Sequence, residues 1–242
     1  MQNYKLILSY DGTDYHGWQR QPEKRTIQGL LEENLGKITQ KKITVIGAGR
    51  TDAGVHAQGQ VANFKANISL KEEELLRAMN SILPGDIKVI SLEKTEANFH
   101  ARKMAKSKIY QYRIFNSPDI PPFLHRYVLY YPSPLKVEMM KKAALLFLKE
   151  ADFTAFSSNR LLNPVRKVTA SQIEKKGKEI IYTIEANGFL RYMVRTIVGT
   201  LLEIGRGKFQ PENIEEIFKE QKRSLAGPTA PAQGLCLIKV IY

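Results

Sequence analysis

The feature that most restricts this chain is the order in which its hydrophobic periodicity changes. Residues 4–10 alternate apolar and polar, as a half-buried strand does. Residues 27–38 then place Ile27, Leu30, Leu31, Leu35 and Ile38 on one helical face. A strand over 43–46, a Gly-rich loop and a strand near 60–65 follow. Ser69 with Glu72 three residues on predicts a capping box for a helix running to about Ser81. Pro84-Gly85 turns the chain into a strand over 87–92. The order β-α-β-β-α-β is the split βαβ pattern of ferredoxin-like and RRM-like folds.

The rest of the chain reads in the same order. Residues 108–115 alternate, and a Pro-rich link (Pro118, Pro121, Pro122, Pro132, Pro134) leads to a helix over 137–149. Strands over 165–175 and 179–186 are joined by Lys176-Gly177-Lys178. Asn187-Gly188 opens a helix over 189–204, ended by Gly205 and Gly207. A further helix over 211–221 has Pro211 in its first turn, and a strand over 235–241 closes the chain. No sequence repeat is visible, so the duplication is one of topology. These elements predict an α+β protein of two halves, residues 1–104 and 105–242, with the boundary near 102–106. Two such halves side by side predict a largely antiparallel sheet and a central cleft suited to a ligand.

Charge narrows the ligand. The 242 residues hold 37 Lys plus Arg against 24 Asp plus Glu, a net +13 at pH 7. Such a surface attracts polyanions, nucleic acid above all, although a basic surface also serves solubility. Arg102, Lys103, Lys106, Lys108 and Arg113 occur with no acidic residue among them, and Tyr110 and Tyr112 alternate through the end of the stretch. Cations beside aromatic rings suit phosphates and unstacked bases, which points to RNA rather than a membrane. Cys236 is alone, which excludes an intramolecular disulfide. With only His16, His56, His100 and His125 beside it, no metal-ligand spacing appears. The first residues carry no signal-peptide pattern and no apolar run is long enough to span a bilayer, so a cytoplasmic protein without metal is expected.

Chemistry concentrates in Gly47-Ala48-Gly49-Arg50-Thr51-Asp52-Ala53-Gly54-Val55-His56-Ala57. A dinucleotide fingerprint needs glycine where Asp52 stands, and no Gly-Lys-Ser/Thr of a phosphate loop is present. A carboxylate at the centre of a phosphate cradle would repel the phosphate. Gly49 and Gly54 instead bracket a tight turn that presents Asp52, with Arg50 two residues away. The segment equally suits an Asx-turn in which Asp52 bonds only nearby amides. Asp11 and Asp14, the nearest acidic pair in sequence, read as turn residues after the first strand. Ordinary glycoside hydrolysis would need a second carboxylate, and none is evident beside Asp52.

Tyr10-Asp11-Gly12-Thr13, Gly17-Trp18-Gln19 and Gly49-Arg50-Thr51-Asp52-Ala53-Gly54-Val55-His56-Ala57 resemble the tRNA pseudouridine synthase A family. The similarity continues through Leu83-Pro84, Phe99-His100-Ala101-Arg102, Lys108-Ile109-Tyr110-Gln111-Tyr112, Asp152-Phe153-Thr154-Ala155-Phe156, Met193-Val194-Arg195 and Pro228-Thr229-Ala230-Pro231, over nearly the whole chain. One departure is Arg191-Tyr192, where many relatives have histidine. The resemblance implies two α+β halves around an antiparallel sheet, a homodimer, and conversion of uridine to pseudouridine at tRNA positions 38 to 40 without cofactor or metal. It implies Asp52 as nucleophile, Arg195 as the partner of that carboxylate and Tyr110 as a contact to the target uracil. Arg50 would fill the gap left by the displaced base or grip a phosphate; a salt bridge within the loop is the alternative. The reaction breaks the N1–C1′ bond, turns the uracil and joins C5 to C1′, so the free base has to stay trapped. Asp52 has to be ionised, adding to the base or assisting at the ribose. Without the resemblance, a non-catalytic RNA-binding protein of two α+β halves fits the same residues.

Overall fold

The computed structural model describes residues 1–158 and 163–242, which form ten strands and five α-helices divided between two compact units. One unit comprises Met1–Lys106 with Cys236–Tyr242, the other Ser107–Leu235. The α+β class is the one the periodicity predicts.

The first unit runs β1 (Gln2–Tyr10), α1 (Ile27–Thr39), β2 (Val45–Gly47), β3 (His56–Ala66), α2 (Glu72–Ile82) and β4 (Ile87–Thr95). Strand β1 lies between β4 and β3, antiparallel to both, with Leu6 opposite Ala62 on one side and Leu92 on the other. Tyr4, Leu6, Leu8 and Tyr10 are buried while the residues between them are half-exposed, the period-2 signature of a sheet covered on one face. Ile27, Leu31 and Leu35 of α1 and Leu75 and Met79 of α2 are buried with them. Thr26 caps α1 by accepting from the Gly29 amide at 3.3 Å. The cap expected at Ser69 is instead at Lys71, whose amide donates to the Glu74 carboxylate at 2.9 Å. Glu72 is then the first helical residue rather than the third, and the box is half-built because an ammonium cannot accept a bond.

The second unit runs β5 (Ser107–Phe115), β6 (Leu129–Tyr130), α3 (Val137–Leu145), β7 (Glu150–Asp152), β8 (Val165–Lys176), β9 (Glu179–Ala186), α4 (Met193–Gly205) and α5 (Asn213–Glu220). Its strands pair antiparallel in the order β5-β9-β8-β7, and β6 lies parallel to β5. Helix α3 stops four residues short of the expected end. The Lys149 carbonyl accepts from Val168 (3.0 Å), which draws the chain into the register of β7. Helix α4 begins four residues later than expected. Asn187 continues the sheet, its amide donating to Lys167 and its side chain accepting from the Lys167 amide (3.1 and 3.0 Å), and so is not a cap. The final strand, β10 (Leu235–Ile241), runs parallel to β3 through Cys236 opposite His56 and Leu237 opposite Ala57.

Candidate functional site

In the first unit, Asp52 sits half-buried in the turn between β2 and β3, closed by a bond from the Val55 amide to the Asp52 carbonyl (3.2 Å). Gly54 has φ +78°, so the bend after Asp52 uses the left-handed region that glycine adopts without strain. The segment after β1 braces this turn. Trp18 N–H donates to the Thr51 carbonyl at 3.0 Å, and Gly54 N–H donates to the Tyr15 carbonyl at 3.3 Å. Gly17 has φ +85°, and a Cβ there would fall 2.6 Å from the Thr51 carbonyl oxygen, so a side chain would push the Asp52 turn away.

A polar network beneath the turn holds it from inside. The Tyr10 hydroxyl lies 2.8 Å from Thr51 Oγ1, and Gln60 Nε2 donates to the Gly49 carbonyl at 2.9 Å. Burial pushes the Tyr10 phenol well above the usual range, so it acts as a neutral hydroxyl. Gln60 is fully buried, and among the described residues its Oε1 is the one buried side-chain oxygen without a partner. That oxygen costs about 1–3 kcal/mol, set against the bond that anchors Gly49. His56 accepts the Gly12 amide at Nδ1 (3.0 Å). Asp11 Oδ1 also lies 3.1 Å from that nitrogen, but it already takes the Thr13 amide and hydroxyl at 2.9 and 2.6 Å, so we assign Nδ1 to Gly12. Asp11 is thus the turn residue its sequence predicts. Tyr10 and Trp18 read from the sequence as core residues, and Gln60 as one position of a strand, so nothing local marks the three as supports of the turn.

In the second unit, Arg195 is the one residue of α4 that is not buried. The helix is enclosed almost all round rather than along a single apolar stripe. Arg195 Nε donates to the Ala230 carbonyl at 2.7 Å, and its guanidinium lies 5.0 Å from the ring centre of Tyr192. Tyr192 has φ +63°, a left-handed conformation costing a non-glycine residue about 1–2 kcal/mol, and it ends between Arg191 (4.9 Å) and Arg195. Tyr110 on β5 is buried, its ring edge-on to Phe189 at 5.1 Å. Tyr112, on the same face, is fully buried and donates to the Pro231 carbonyl at 2.8 Å. Burial raises its phenol, opposed by the nearby charge of Arg195.

The stretch of alternating cations and tyrosines therefore divides. Arg102, Lys103 and Lys106 are exposed, but Tyr110 and Tyr112 are buried, and Arg113 forms a bidentate pair with Glu179 (2.9 Å for both bonds). Strand geometry explains this: residues 110 and 112 share the covered face, and Arg113 meets its partner Glu179 on the neighbouring strand β9. Arg50 is exposed and forms no ion pair with a described residue. Among the described residues, no group of three His, Cys, Asp or Glu is placed to hold a metal ion. None of the described helices is long and apolar enough to cross a membrane.

A family profile described as tRNA pseudouridine synthase matches residues 6–102 and 143–242. The chain is 47% identical over 254 residues to the tRNA pseudouridine synthase A of Thermodesulfovibrio yellowstonii, with all of both chains covered. It is 46% identical to the protein of that name from a Thermoanaerobacter species and 44% to tRNA pseudouridine synthase A 2 of Clostridium perfringens, again over the full length of each.

Proposed function

The chain belongs to the tRNA pseudouridine synthase family, and from that premise we propose that it isomerises uridine to pseudouridine at positions 38, 39 and 40 of the tRNA anticodon stem-loop, with Asp52 as nucleophile. The observation that carries the reading is the bracing of the Asp52 turn: four hydrogen bonds hold Gly49, Thr51 and Gly54, the residues on either side of one acidic residue. A solvated loop aspartate needs no such support, whereas a reacting carboxylate loses rate with each misplacement.

In this reading residues 1–104 supply the nucleophile and residues 105–242 supply Arg195 and Tyr110. Asp52 attacks as the ionised carboxylate, and Arg195 is the cation that orients it and favours that form. The N1–C1′ bond breaks, the freed uracil turns and C5 bonds to C1′; the bond to Asp52 is released again, and C5 loses its proton while N1 gains one. The Tyr110 ring lines the base, and its hydroxyl serves in moving that proton. A stem uridine has to leave its stack to reach Asp52, and exposed Arg50 fills the gap or holds a phosphate. The protein works in the cytoplasm as a homodimer, and the residues assigned here need neither metal nor cofactor.

Pseudouridylation leaves mass unchanged, so the test is carbodiimide-adduct mapping of tRNA after incubation with the purified protein. Reverse-transcription stops at positions 38, 39 or 40 are expected. Binding without any such stop would replace the enzyme with a non-catalytic RNA-binding protein.

A further inference from the structure

We infer that Arg223 is a positioning residue for this reaction, acting on Arg195 through the segment 226–230. The inference rests on the role proposed above for Arg195. Arg223 stands in the short 3₁₀ turn Arg223–Leu225, half-buried. Among the described residues it has no carboxylate partner. Its guanidinium is instead spent on the chain that follows: Nη1 donates to the carbonyls of Gly227 (2.9 Å) and Ala226 (3.4 Å), and Nη2 donates to Thr229 Oγ1 (3.1 Å).

That segment lies directly on α4. A Cβ at Gly199 would fall 1.6 Å from the Pro228 carbonyl oxygen, so no side chain separates the two backbones. The Gly227 amide donates to Thr200 Oγ1 (2.9 Å), and the Thr200 hydroxyl donates to the Thr196 carbonyl (2.9 Å). Thr229 Oγ1 also meets Thr196 Oγ1 at 3.4 Å. The segment ends at the residues that hold the proposed site. Ala230 accepts from Arg195 Nε (2.7 Å) and donates its amide to the Arg195 carbonyl (3.0 Å), and Pro231 accepts from Tyr112 (2.8 Å). Arg223 therefore sets where the Ala230 carbonyl stands, and that carbonyl sets which way the Arg195 fork turns.

The residue type fits the task. A planar guanidinium places its donors on separate nitrogens of a rigid fork, whereas a lysine ammonium gathers its three donors on one atom at the end of a flexible stem. Burial lowers the affinity of Arg223 for its proton, but guanidinium stays charged in proteins. Its bonds to carbonyls are thus charge-assisted and stiffer than neutral ones.

The test compares Arg223→Lys, Thr229→Val and Arg195→Lys with the parent protein, measuring thermal midpoint, tRNA affinity and the single-turnover rate at saturating tRNA. The expected result for Arg223→Lys is a rate lower by about 10- to 100-fold, as for a reacting group displaced by up to 1 Å, with tRNA affinity unchanged. Thr229→Val removes only one of the three acceptors and should lose rate by a few-fold with the same split. It carries the test if Arg223→Lys fails to fold. A purely structural role predicts a lower midpoint with a normal rate per folded molecule, and that result overturns the inference. Arg195→Lys separates the two levels. If it is impaired while folded Arg223→Lys and Thr229→Val are not, the inference fails and the reading of Arg195 stands. If Arg195→Lys turns over normally, the reading of Arg195 fails and the inference falls with it.

Discussion

Arg195 and Ala230 hold each other twice: Nε of the arginine donates to the Ala230 carbonyl at 2.7 Å, and the Ala230 amide donates to the arginine's own carbonyl at 3.0 Å. The pair fixes both backbone and side chain of the one incompletely buried residue in a helix otherwise enclosed. An arginine tolerated for solubility would not be clamped in this way, because ordering a long side chain costs up to about 2 kcal/mol of rotamer entropy.

Replacing Asp52 by Asn keeps the shape of the side chain and removes one negative charge. The fold and tRNA binding should persist, binding being equal or slightly tighter, while pseudouridine formation becomes undetectable. Asp52→Glu should fail almost as completely, since one methylene moves the carboxylate by about 1 Å. Thermal melting, affinity and carbodiimide mapping on the same Asp52→Asn preparation check this; appreciable turnover would remove Asp52 as nucleophile.

Tyr110→Phe keeps the ring packed edge-on against Phe189 and deletes only the hydroxyl. Stability should change by about 1 kcal/mol or less, tRNA affinity should hold, and turnover should slow. Tyr110→Ala opens a cavity at a buried position and should cost about 3–5 kcal/mol, so its activity loss reports unfolding as much as chemistry. Chemical denaturation alongside single-turnover rates distinguishes the two variants.

Gln60→Leu removes the donor that anchors the Gly49 carbonyl, and with it the orphaned Oε1. These effects oppose each other in stability, leaving a net loss of about 1 kcal/mol or less. Activity should fall further than stability, because the Asp52 turn loses its inner anchor. An unchanged single-turnover rate in the folded variant would show that the anchor serves the fold alone.

Affinity for tRNA should fall steeply with salt, as phosphates neutralised by the protein release their counterions. Replacing exposed Arg102 or Lys103 by Ala should flatten the plot of log K against log salt by about one for each phosphate the side chain neutralises. Arg113→Gln should leave the slope unchanged, since Arg113 is already paired with Glu179. Filter-binding titrations over a range of salt concentrations measure all three.

Element order was legible in the sequence because a strand or helix covered on one face has to repeat its apolar residues with its own period. The expected strands over 179–186, between Lys176-Gly177-Lys178 and Asn187-Gly188, and over 235–241, after Gly234, match the structure to the residue. The Asp52 turn was legible because glycines around an acidic residue constrain the backbone locally. Other features depended on partners far away in the chain. Nothing in residues 235–241 says that they run parallel to β3, since strand pairing is chosen by the edge left open, not by the strand that fills it. The start of α4 depended on Lys167 claiming Asn187. That Arg113 is paired and Tyr112 buried depended on β9 and on Pro231. The clamp on Arg195 comes from a carbonyl, and every residue carries one, so composition and spacing cannot mark it; only the folded chain decides which carbonyl arrives within 2.7 Å of the guanidinium.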